Sequence, residues 1–118
     1  MQEIFNKVWQ YFVVEKHTRS TEGGKCFYRH PSGDGRRCVV GLFIKDEEYH
    51  KTLETFGAHN PDVLFTLVKS GVLESWRVQD FLRDLQIAHD QSAGEFVEEE
   101  RLRQSAASFK IKVPSENT

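Results

Sequence analysis

An α+β domain is what this sequence predicts, and three observations predict it. Apolar residues recur at helical spacing near the start and again in the second half. Between those stretches, two β-prone runs bracket a turn rich in proline and glycine. The chain has 118 residues, 38% hydrophobic and 29% charged, which is enough apolar material for one core and too much for a disordered chain. The predicted arrangement is an N-terminal helix, a β-hairpin that a C-terminal edge strand can extend, and a helical hairpin. All pack around one core within a single domain of residues 1–113, with 114–118 a disordered tail.

Each element follows from its own residues. Ile4, Phe5, Val8, Trp9 and Phe12 fall on one face of a helix over residues 2–16, opposite Glu3, Asn6, Lys7 and Gln10. Gly23-Gly24 marks a flexible loop after it. Residues 26–29 and 37–44 read as strands joined through HPSGDGR, a register that sets Cys26 opposite Cys38. Asp46 is placed to cap a short helix that frays by Gly57. Asn60-Pro61 starts a helix that Gly71 ends, and after a break at residues 73–75 a second helix carries Val78, Phe81, Leu82, Leu85 and His89 on one face. Ser92 and Glu95 match a capping box for a largely exposed helix. Phe109, Ile111 and Val113 alternate with lysines as in an edge strand.

Composition bounds the function. The start lacks the basic and apolar segments of a secretory signal, and no stretch approaches the roughly eighteen apolar residues of a membrane span, so a cytoplasmic protein without a membrane partner is expected, folding alone or as a small homo-oligomer. In that compartment Cys26 and Cys38 are expected to be reduced. The net charge of −2 is unevenly spread: residues 16–37 hold six Lys/Arg against two acids, +4 locally, which leaves −6 for the rest. So small a total argues against nucleic acid as a partner, whereas the local excess suits a compact anion.

That excess defines the candidate site. Arg29, Arg36 and Arg37, with Lys25, supply planar and point-charge donors suited to phosphate or carboxylate, and Tyr28 supplies a face on which a base could stack. A solvated hairpin whose arginines pair with Asp46, Glu47 and Glu48 is the plainer alternative. No catalytic residue is assigned: Cys38, His89 and Asp90 can be combined on paper, but His89 falls on an apolar face and Asp90, next in sequence, is expected to point elsewhere. No metal or other cofactor is expected either. Cys26, His30 and Cys38 make three ligands where a structural zinc site needs four, and only His17 or His59 remain to complete it.

The run CFYRHPSGDGRRCVVGLFIKDEEY, followed by LRDLQIAHD, resembles a group of small uncharacterised bacteriophage and bacterial proteins that share a Cys-x-Tyr-Arg, a glycine turn, a Cys-x-Val-Gly and a Leu-Gln-x-x-His-Asp. The resemblance covers about the first three-quarters of the chain. It implies a non-enzymatic phage accessory protein, of the kind that blunts host defence by binding a nucleotide-like anion or a host protein. Two other readings stand beside it, a small phosphodiesterase-like enzyme acting on a nucleotide signal and a protein-interaction module.

Overall fold

A computed structural model describes residues 1–23, 25–57, 60–72 and 75–114. The predicted class holds: a helix, a two-stranded antiparallel hairpin and further helices share one core. Helix α1 (Gln2–Trp9) continues through a π-helical turn, Gln10–Val14, so the amphipathic stripe runs on as read and buries Phe5, Val8, Trp9 and Phe12. Helices α2 (Pro61–Lys69), α3 (Trp76–Gln91) and α4 (Glu99–Ser108) complete the helical part. Phe81, Leu82 and Leu85 of α3 form the centre against which α1 and α4 pack, with the Phe5 and Phe81 rings 6.4 Å apart. Among the described residues no helix is long and apolar enough to cross a membrane.

The start signals of the helices work as the sequence indicates. Asn60 Oδ1 accepts the Asp62 N–H at 2.9 Å ahead of Pro61, and Gly71, at φ +82°, closes the far end of α2. Ser75 accepts the Val78 N–H at the start of α3. The break read at residues 73–75 falls partly on Leu73 and Glu74, outside the described residues, as do Gly24, His59 and the tail residues 115–118.

Four expectations are corrected. The hairpin lies earlier than predicted: β1 (Thr21–Glu22) pairs with β2 (Lys25–Cys26) across the loop that begins at Gly23, itself at φ +59°. Residues 27–29 and 37–44 form no ladder, because side chains take up their amides. Tyr28 and Arg29 donate to the Glu54 carboxylate at 2.8 and 3.0 Å, Arg37 donates to Tyr11 Oη, and Val40 donates to Gln86 Oε1 at 2.9 Å. Val40–Phe43 is instead a 3₁₀ turn, buried against Tyr28.

Asp46 opens a 3₁₀ turn, Asp46–Glu48, without capping it, and its carboxylate turns to arginines. Ser92 ends α3 and starts no helix there: it donates to Ala88 O and accepts from the Glu98 amide, both at 2.8 Å, and α4 begins at Glu99 with Leu102 and Ala106 buried against α3. Finally, residues 109–113 are not an edge strand. Lys110 adopts φ +56°, Ile111 N–H returns to Ala106 O at 2.8 Å, and the Gln2 side chain grips Lys112 through both its amide and its carbonyl.

Candidate functional site

Two polar clusters emerge from this fold. In the first, Arg29 and Arg37 each direct a terminal nitrogen to the same oxygen, Asp46 Oδ1, at 2.6 and 3.4 Å. Tyr49 lies under the Arg29 guanidinium, 4.2 Å from carbon to ring centre, and holds its plane. Arg29 Nε is buried without a partner among the described residues. Asp46 itself is 77% exposed, so the carboxylate that joins the two arginines sits at the rim. A surface pocket of about 490 Å³ opens beside it, lined by Lys7, Arg37 and Lys45 with Asp46, Glu47 and Ser70.

The other predicted site residues go elsewhere. Arg36 pairs with Asp34 at 2.7 Å, which holds the Asp34 carboxyl below its ordinary range through the Arg36 amide first and its side chain second. Lys25, on β2, extends over the Phe27 ring just beyond the strand. Tyr28 is buried, and its hydroxyl donates to Phe56 O at 2.6 Å, so its ring is core and offers no face for stacking. The group therefore contracts to Arg29 and Arg37, both paired with Asp46 as the plainer alternative expects, and the fold adds Tyr49. His30, counted among the zinc ligands in sequence, spends its nitrogens on Ser32 Oγ and Thr21 O.

The second cluster joins segments far apart in sequence. Cys26 Sγ, a His89 ring nitrogen and an Asp90 oxygen lie within 4.8 Å of one another. Gln86, one turn before Asp90 on α3, anchors the group: its Oε1 holds the Val40 N–H while its Nε2 donates to Asp90 Oδ1 at 2.8 Å and to Cys26 Sγ at 3.3 Å. His89 is fully buried, with Nδ1 2.9 Å from Asp90 Oδ1 and Nε2 accepting the Ser20 N–H at 3.3 Å. Asp90 thus turns back onto its neighbour, contrary to the expectation that it points away. Arg19 locks this end of α3, donating to the carbonyls of His89, Asp90 and Gly94 at 2.8 to 3.0 Å.

Electrostatics in the cluster run against nucleophilic catalysis. The Cys38 thiol and burial together push the Cys26 thiol far above its ordinary range, the reverse of an activated nucleophile. Burial penalises the His89 imidazolium, but the hydrogen bond to Asp90 and the nearby Cys26 sulfur outweigh it and the net direction is upward. Burial likewise works against the Asp90 anion, and the bonds from His89 and Gln86 outweigh it downward. A catalytic triad needs one imidazole nitrogen on the carboxylate and the other on the nucleophile. Here the second nitrogen is taken by the Ser20 amide. No family model, curated protein or solved structure matches the chain.

Proposed function

We propose that this protein is a non-enzymatic accessory protein of the phage type that binds a small, nucleotide-like anion at Arg29 and Arg37. The observation that carries this reading is the convergence of both guanidinium groups on one exposed carboxylate oxygen. Asp46 supplies from within the chain what a phosphate would supply from a ligand: an oxygen that accepts from two planar cations. An exposed ion pair contributes at most about 1 kcal/mol, so a ligand phosphate with two or three such oxygens displaces Asp46 at little cost. The pocket beside Arg37 has room for the rest of the ligand, and Lys7 and Lys45 line it. Counter-defence is the role that the resemblance to phage proteins adds to this chemistry.

A host protein as partner is a second reading, favoured by the exposure of Phe65 and Val68 on α2 and of Trp76 at the start of α3. One experiment separates the readings. The purified chain is incubated with cyclic and linear nucleotides, washed and heated, and the supernatant is analysed by mass spectrometry. An intact nucleotide, absent when Arg37→Gln is used, supports the binding reading. A hydrolysed product would support the phosphodiesterase alternative, and no retained nucleotide would favour a protein partner.

A further inference from the structure

Taking the anion-binding reading above as given, we infer that the ligand is a nucleoside 5′-diphosphate. Its base and sugar enter a second, apolar pocket beside the arginine site, and its terminal phosphate reaches Arg29 and Arg37. The second pocket, of about 300 Å³, is lined by Met1, Ile4, Phe43, Val72 and Val78, with Glu3 as the one carboxylate among the described residues that line it. It shares Lys7, Phe43 and Val72 with the pocket of about 490 Å³ that Arg37 lines, so the two adjoin along one groove.

The ends of this groove differ in chemistry. At one end Lys7, Arg37 and Lys45 outnumber Asp46 and Glu47. Ser70, buried at the same end, takes the Lys45 N–H on its hydroxyl oxygen at 3.1 Å and spends its own hydrogen on no acceptor among the described residues, which leaves a donor for a phosphate oxygen. At the other end the walls are apolar, and a flat base gains by leaving water there. The Glu3 carboxylate repels a phosphate but accepts from the N–H groups of a base. Charge therefore sets the direction of the ligand, with its phosphates toward the arginines.

Lys7 stands where the two pockets meet. It follows Ile4 by one turn on the same face of α1, and its side chain is exposed. Its ammonium lies 5.1 Å from the centre of the Phe43 ring and has no carboxylate partner among the described residues. A cation held over a ring keeps its full charge for an incoming anion. Two cationic stations in succession call for two phosphates: Lys7 meets the one next to the sugar, and Arg29 with Arg37 meets the terminal one.

The test is calorimetric titration of the full chain with inorganic phosphate, ribose 5-phosphate, and the 5′-mono- and diphosphates of adenosine and guanosine, with methyl NMR spectra recorded on the same samples. The diphosphate of at least one nucleoside is expected to bind tightest, its monophosphate about tenfold more weakly and ribose 5-phosphate about tenfold more weakly again. Nucleotides, unlike inorganic phosphate, should shift the methyl resonances of Ile4, Val72 and Val78. Lys7→Gln is expected to remove the step between mono- and diphosphate, and Val72→Glu the step between ribose 5-phosphate and monophosphate. Nucleotides that bind the parent chain no better than ribose 5-phosphate, with those methyl resonances unmoved, would overturn the base pocket while leaving the anion site at Arg29 and Arg37 standing. A diphosphate no tighter than its monophosphate would overturn the part assigned to Lys7. Failure of every phosphate to bind, inorganic phosphate included, would overturn the base pocket and the anion site together.

Discussion

Gly41 lies so close to Tyr28 that a Cβ added to it would fall 2.0 Å from the Tyr28 carbonyl oxygen, with the carbonyl carbon and Cα inside 3.0 Å as well. Two backbone segments meet there, and neither has a flexible side chain to yield. This contact stands where the sequence suggests strand pairing, and it packs the Val40–Phe43 turn against the Tyr28 backbone. Gly41→Ala is therefore expected to destabilise the protein by about 3 kcal/mol or more, at the upper end for overpacking a core. Urea unfolding of the variant against the parent measures this.

Arg19 gives a second prediction. Its guanidinium meets two carbonyl oxygens at the end of α3 and that of Gly94 beyond it, and its amide donates to Glu95 O. Arg19→Ala leaves those carbonyls with fewer donors and is expected to cost about 2 kcal/mol. Arg19→Lys recovers little of it, since one ammonium cannot span the positions that the planar fork reaches. Thermal melting of both variants is the check.

The tyrosines give a pH prediction. All three are shifted upward: Tyr49 to about 12, by burial first and its hydrogen bond to Glu54 second, and Tyr11 and Tyr28 upward chiefly by burial. A group whose folded pKa is raised adds stability that is complete below the unfolded value, about 10 for tyrosine, and is lost as pH rises through the folded value. Stability should therefore hold to about pH 10 and fall between there and about 12. Absorbance titration of tyrosinate should show delayed ionisation, and Tyr49→Phe should flatten the loss of stability over that range.

How much of this was readable in the sequence depends on where each interaction partner lies. Asn60-Pro61, Gly71 and the stripe of Phe5, Val8, Trp9 and Phe12 carry their meaning within a few residues, and those elements stand where they were read. Val39 to Ile44 reads as a strand because β-branched and aliphatic residues cluster there. The decision falls to Gln86, Glu54 and Tyr11, which take the amides of this segment and its expected partner from distant positions. Arg29 and Arg37 follow from local charge, and Asp46 from its being one of the nearby acids; that both arginines meet one oxygen of it depends on the turn after Ile44. Asp90 departs from expectation because adjacent helical residues normally diverge, whereas its carboxylate turns back to within 2.9 Å of His89 Nδ1.

The most direct measurement is calorimetric titration of a nucleoside monophosphate, with inorganic phosphate in parallel, into the parent chain, Arg37→Gln and Asp46→Asn. If Asp46 occupies the position of a ligand phosphate, removing its charge should tighten nucleotide binding by about tenfold, the equivalent of 1.4 kcal/mol. Arg37→Gln should weaken it by a similar factor, and all three proteins should melt within a few degrees of one another. Binding that is unchanged or weaker in Asp46→Asn, in a variant folded like the parent, would contradict the proposed role of the Arg29–Arg37 pair.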